Sequence, residues 1–242
     1  MAPVRNLDHF AREADLLAEA ALAAGAAAPV AACPGWTVDD LVRHIAGGDQ
    51  WARTIVASGS LDAPKRPQLD DELTGEALVA SYRAGAHALA RTLAAADPDT
   101  AVWSFFPTDQ SVRFWIRRRA QETAVHRVDA QVAAGAVTPI DPAFASDGID
   151  EYLTVFVPRF GPALADLGGS VHLHCTDVEG EWLLVPGPEA ATVTREHAKG
   201  DVAARGRAED LLLMLWGRRG SDAADVFGDA ALLERFLATI RL

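Results

Sequence analysis

Leu7, Phe10, Ala14, Leu17 and Ala21 recur at three- and four-residue steps, which predicts an amphipathic helix ending near Gly25. Pro34-Gly35 marks a turn, because proline presets φ and glycine tolerates positive φ. Thr37 with Asp40 three residues on has the form of a capping box and opens a second helix. Leu41, His44, Ile45, Gly48, Trp51 and Ile55 lie along one face of that helix, which stops near Gly59. The stretch from Leu61 to Thr74 is rich in proline and charge and is expected to be a loop. A third helix is expected from Gly75 to Ala96, with Leu78, Tyr82, Ala86, Leu89 and Leu93 as its stripe, ended by Pro98. A fourth runs from Ser111 to Gly135. It carries Phe114, Gln121, Val125, Val128 and Val132 in one line and Trp115, Glu122, His126 and Asp129 beside it. Four long helices with one long connection predict an antiparallel four-helix bundle.

Beyond Gly135 the pattern changes. Thr138 to Pro142 has the composition of a linker, and a short helix is expected over Ser146 to Arg159. Val171 to Cys175 alternates with period two, and Trp182 to Val185 reads as its partner strand across a turn at Asp177 to Gly180. Ala191 to Thr194 and Asp201 to Ala204 are two further strand candidates. Helices are expected over Glu209 to Trp216 and Asp229 to Ile240. The predicted class is α+β: a four-helix bundle over residues 1–140 and a small α+β domain over residues 146–242, with the boundary between Gly135 and Asp150.

The composition supports a folded chain. Of 242 residues, half are apolar and 23% charged, enough to build a packed core. The 22 basic residues against 34 acidic ones leave a net charge of −12, with a pI near 4.9. This argues against a nucleic-acid binder or a protein that docks on anionic membranes. The stretch from Ala20 to Cys33 is mostly alanine and broken by Gly25 and Pro29, so no segment is expected to span a bilayer. The opening residues contain Asp8 and no apolar leader-like run, and the only cysteines, Cys33 and Cys175, stand far apart. Both features predict a cytoplasmic protein without a disulfide framework.

Titratable groups on faces that should be buried carry the chemical information. Glu122 and His126 are one helical turn apart and emerge from one patch. Bundles build metal sites from such pairs on facing helices. With His44 from the second helix the set holds two imidazoles and a carboxylate, which suits zinc or a similar divalent ion and leaves a coordination position for water or substrate. The same residues allow a plainer assignment. Asp40 and His44 repeat the acidic-His spacing, His126 can be a helix-surface residue paired with Glu122 or Asp129, and His44 a core histidine. His172 and His174 are a rival metal pair on one strand face, expected to point to solvent because Val171, Leu173 and Cys175 take the other. Cys33 is a candidate nucleophile without an evident neighbouring base. Arg117, Arg118 and Arg119 spread over three helix directions and are expected to be mostly solvated, with Arg119 able to reach an anionic ligand one turn before Glu122. Arg218 and Arg219 follow an apolar helix, where the dipole alone favours them. Among the six tryptophans most should be core, with one or two walling a pocket. There is no GxGxxG, P-loop, GxSxG or CxxC.

Two stretches resemble a known family. Cys33-Pro34-Gly35-Trp36-Thr37-Val38-Asp39-Asp40-Leu41-Val42-Arg43-His44 is similar to the opening motif of mycothiol-dependent maleylpyruvate isomerase-like proteins. Arg118-Arg119-Ala120-Gln121-Glu122-Thr123-Ala124-Val125-His126-Arg127-Val128-Asp129-Ala130 resembles a second family stretch, and Leu211 to Arg218 a third near the end of the chain. The resemblance implies a DinB-like four-helix bundle followed by a sterol-carrier-like α+β domain. It implies metal ligands at His44, Glu122 and His126, and an active-site role for Arg218 in a cleft between the domains. The chain departs from the family at Gln121, Val128 and Asp49, where His, Trp and His are common; none of these is a ligand in the three-residue scheme.

The resemblance also implies chemistry: a metal- and mycothiol-dependent isomerase or thiol transferase acting on a small electrophile. Its partners would be a small-molecule substrate and a low-molecular-weight thiol. The alternatives are a non-catalytic metal-binding protein of the same fold, in which Asp40 or Asp49 closes the metal site as a fourth ligand, and a metal-dependent hydrolase.

Overall fold

The computed structural model describes residues 3–67 and 72–241, in two compact units that meet at Thr138 and Pro139. The first unit is the four-helix bundle: α1 (Pro3–Ala24), α2 (Val38–Ser58), α3 (Gly75–Ala95) and α4 (Val112–Ala134). Helix α1 packs on α3 and α4, and α2 packs on the same two from the other side, so α2 and α4 are neighbours. The capping box forms as expected: the Thr37 hydroxyl accepts from the Asp40 backbone N–H, and the Asp40 carboxylate accepts from the Thr37 N–H at 2.8 Å. Ser111 caps α4 and Gly135 closes it in the left-handed conformation.

The bundle core is lined by Phe10, Leu17, Leu41, Ile45, Ile55, Tyr82 and Leu89, each essentially without solvent exposure. Trp51, Trp103 and Trp115 pack as a cluster, with Trp51 and Trp103 centroids 5.0 Å apart. Three buried arginines lie on α4. The Arg127 guanidinium donates to Glu13 at 2.6 Å and to Gln131 at 2.9 Å, tying α4 to α1. Arg118 and Arg119 are also buried, which corrects the expectation of a solvated arginine face. Such burial requires carboxylate partners, and α4 and α2 supply them.

Residues 138–141 have no regular structure, in keeping with the linker reading, and the helix expected from Ser146 starts earlier, at Pro142. Asp141 caps α5 (Pro142–Glu151), and Pro142 takes the first turn, where its missing N–H costs nothing. The helical path continues past the expected end through a π segment (Tyr152–Phe156), a 3₁₀ turn (Val157–Phe160) and α6 (Gly161–Ala165). The changes of helix type place Pro158 and Pro162 in opening turns and avoid an interior break. A mixed five-stranded sheet follows, built from β1 (Val171–Cys175), β2 (Glu181–Val185), β3 (Thr192–Thr194), β4 (Val202–Gly206) and β5 (Asp225–Gly228), in the order β3-β2-β1-β4-β5. Only β1 and β4 run parallel. Helices α7 (Ala208–Leu215) and α8 (Ala230–Thr239) lie against β1 and β4. Strand β5 was not expected: it is short, on the edge, and its Phe227 is exposed, so it lacks the alternation of a half-buried strand.

Among the described residues no helix is long and apolar enough to cross a membrane.

Candidate metal centre

The tight turn Cys33–Trp36 is closed by Cys33 N–H to Val30 O and Trp36 N–H to Cys33 O, both 3.0 Å. Gly35 sits in it at φ +84°, where any other residue would be strained. The turn delivers Trp36 beside two imidazoles: its ring centroid is 5.0 Å from that of His44 and 6.4 Å from that of His126, with His126 stacked on it. His44 comes from α2, and Glu122 and His126 come from adjacent turns of the neighbouring α4. One ligand-type atom from each of the three lies within 4.8 Å of the others. His44 Nε2 is 3.2 Å from Glu122 Oε1. Two donors on one ion, at bond lengths of about 2.0–2.2 Å and tetrahedral angles, stand about 3.4 Å apart, close to the separation of His44 and Glu122.

His44 is not a core histidine. Its side chain is 37% exposed and lines a cavity of about 520 Å³ together with Trp36, Asp40, Arg43, Gly48 and Arg66. Helix α2 thus presents a polar rim at His44, one step from its apolar face.

Two of the three ligand candidates, His126 and Glu122, are held from behind. His126 Nδ1 is 2.9 Å from Asp129 Oδ2, one turn further along α4. With Nδ1–H donating to that carboxylate, Nε2 carries the lone pair. Burial, only partly offset by Asp129, holds the His126 pKa below that of an ordinary histidine, which favours the neutral ligand form. Burial also opposes ionisation of Glu122. Arg119, the hydrogen bond to His44, Arg118 and His126 together outweigh it, and the carboxyl stays well below the usual carboxylate range. Arg119 donates to Glu122 Oε2 at 2.6 Å, to Asp49 Oδ1 at 2.9 Å and to the Ile45 carbonyl at 3.3 Å. It is therefore part of the scaffold of Glu122 and not the receptor for an external anion that the sequence suggested. Gly48 makes room for it, since a Cβ there would stand 2.5 Å from Arg119 Nη1.

The proposed closing ligands are engaged elsewhere: Asp40 in the α2 cap and Asp49 with Arg119. Cys33 has a relation the sequence did not reveal, because its sulfur lies within 4.8 Å of ligand-type atoms of both His126 and Asp129. The signal available was the motif itself, which places the cysteine one turn ahead of His44's helix. Arg218 belongs to the second unit, half-buried after α7, where it donates to the Trp216 carbonyl at 2.7 Å. His172 and His174 share one face of β1 as expected, but His172 is buried and does not face solvent.

A four-helix bundle followed by an α+β unit with a mixed sheet is the architecture of mycothiol-dependent maleylpyruvate isomerase. Two crystal structures of that enzyme, one of them of a point mutant, superpose with TM-scores of 0.64 and 0.65, covering 93% of each chain at 15% and 14% identity. The chain belongs to the mycothiol maleylpyruvate isomerase family: the family model of the N-terminal domain matches residues 7–131 and that of the C-terminal domain residues 143–235. Relatives in sequence include the uncharacterized proteins Rv0738 and MT0763 from two strains of Mycobacterium tuberculosis. Each is 29% identical over 131 residues, which is 54% of this chain and 67% of the relative.

Proposed function

We propose that this chain binds one divalent metal, zinc, through His44, Glu122 and His126, and uses mycothiol as cosubstrate to isomerise, or transfer the thiol to, a small electrophile. The observation that carries the reading is the meeting of two imidazoles and a carboxylate from facing helices at the edge of a cavity large enough for a small molecule. When bound, the ion favours the thiolate at neutral pH and stabilises negative charge developing on a substrate oxygen.

In the isomerisation the thiol sulfur adds to a conjugated carbon–carbon double bond and a proton is taken up. The resulting single bond rotates. Elimination then breaks the carbon–sulfur bond and returns thiol and proton, so no oxidant or reductant is consumed. The chain's own groups bind and orient. Arg43 and Arg66 on the cavity wall suit a carboxylate-bearing substrate, Trp36 shields one side of the imidazoles, and Asp129 and Arg119 hold His126 and Glu122 in their ligand forms. Arg218 serves as a steering group for an anionic or carbonyl substrate, on the strength of its motif. The engagement of Asp40 and Asp49 elsewhere supports an ion with positions left for thiol and substrate.

The test is metal analysis combined with turnover of maleylpyruvate and other electrophiles, with and without mycothiol. Thiol-dependent turnover that is lost in His126→Ala supports the reading. Metal without turnover points to a binding protein, and turnover without thiol to a hydrolase.

A further inference from the structure

We infer that the sheet of the second unit carries a separate site for a borderline divalent transition ion, formed by His172, Glu181 and His197. In the register of the hairpin, His174 of β1 stands opposite Glu181 of β2, and His172 lies on the same face two residue pairs further along. His197, from the segment between β3 and β4, closes the group. The centroids of the three imidazoles form a nearly equilateral triangle with sides of 6.0–6.1 Å, and their rings are almost perpendicular to one another.

The carboxylate of Glu181 is the common point. Its Oε2 is 3.4 Å from His172 Nε2 and 2.7 Å from His197 Nδ1, while Oε1 is 3.3 Å from His174 Nδ1. Ligand-type atoms of His172, Glu181 and His197 all lie within 4.8 Å of one another. The decisive group is His172. Its side chain is only 7% exposed, and its buried Nε2 has only a long 3.4 Å approach to the Glu181 carboxylate, short of a well-formed hydrogen bond. An unsatisfied buried ring nitrogen is costly unless something occupies its lone pair. Two imidazoles and one carboxylate at these separations match the donor set and spacing of zinc, nickel or copper, and do not match calcium or magnesium, which take oxygen. His174 on the second carboxylate oxygen orients Glu181. Gly200 lies against His172, where a Cβ would stand 3.0 Å from its backbone nitrogen. An ion here would fasten the segment bearing His197 to β1 and β2.

The site is independent of the bundle site, and the experiment keeps the two apart. In the full-length chain labelled with ¹⁵N at histidine, addition of Zn²⁺ is expected to shift the ring nitrogens of His172 and His197. Zn²⁺ is then titrated against a competing chelator dye in His126→Ala, which lacks the bundle ligand. That variant should still take up one equivalent, and adding His197→Ala should weaken this uptake about tenfold or more. His197 is 81% exposed, so its removal should leave the far-UV circular dichroism unchanged. Glu181→Gln should weaken uptake in the same way. The inference is overturned if zinc leaves the His172 and His197 resonances in place, so that the cluster binds protons only. It is also overturned if His197→Ala and Glu181→Gln bind zinc within twofold of their parent.

Discussion

Asp129 Oδ2 lies 2.9 Å from Nδ1 of His126, and with Nδ1–H donating in this contact it is Nε2 that carries the ring's lone pair. The carboxylate is almost fully buried, so the pairing is held against solvent. Asp129→Asn keeps the size and the packing but weakens the acceptor and frees the tautomer. Zinc affinity at the bundle site should fall about 10- to 100-fold with the fold intact, as read by chelator competition and circular dichroism. An unchanged affinity would remove Asp129 from the account.

Gly48→Ala tests the scaffold behind Glu122. The added Cβ would meet Arg119 Nη1 at 2.5 Å, and that guanidinium cannot swing away cheaply because Asp49, Glu122 and the Ile45 carbonyl hold it. A loss of about 1–3 kcal/mol in denaturant unfolding is expected, together with weaker zinc binding. A variant as stable as the parent would show that Arg119 has somewhere else to go.

Asp49 supplies a pH signature. Burial is the main cause that lifts its carboxyl to about 6, against the pull of Arg119. The folded chain therefore holds this proton more tightly than the unfolded chain. Its contribution to stability is complete below about pH 4 and is lost as pH rises through about 6, with a slope of at most roughly 1.4 kcal/mol per pH unit. Asp49→Asn removes the slope while adding a constant offset for the lost ion pair. Comparison of the two chains by urea unfolding should show the difference changing in favour of the variant between pH 4 and 6.5, and level above that. A parallel pair of curves would contradict the assignment.

The two cysteines should separate cleanly. Cys175 is buried, and burial pushes its thiol up to about 12, so it holds almost no thiolate at neutral pH. Cys33 is half-buried in the turn beside His126. Iodoacetamide followed by peptide mass spectrometry should find Cys33 modified in the native chain and Cys175 only after unfolding.

Glu13 tests the buried pair behind α4. Arg127 is fully buried and donates to Glu13 at 2.6 Å. Glu13→Ala leaves a buried cation short of its counter-charge and should cost about 3–5 kcal/mol, measured by urea unfolding.

The bundle was legible because helical periodicity and cap chemistry agree along it. The Thr37–Asp40 box and Ser111 mark starts, and Gly59 and Gly135 mark ends, close to where the structure puts them. The three ligand candidates were legible for the same reason: spacing on one helix fixes Glu122 beside His126, and a bundle has few neighbours from which His44 can come. What one-dimensional patterning misses is long-range pairing. Arg118 and Arg119 look like a surface run until Asp49 and Glu122 are seen to neutralise them. His172 reads as solvent-facing by strand alternation, yet it is buried, because alternation assigns a side chain to a face and says nothing about what covers that face. Strand β5 is held by its register with β4, from Val202 opposite Gly228 to Arg205 opposite Asp225, and has little pattern of its own.

Zinc-edge anomalous diffraction from crystals of the zinc-loaded chain addresses the bundle site most directly. An anomalous peak is expected about 2.0–2.2 Å from a ring nitrogen of His44, a carboxylate oxygen of Glu122 and Nε2 of His126, and it should disappear in His126→Ala. A zinc-loaded crystal with no peak among these three side chains would contradict this ligand set.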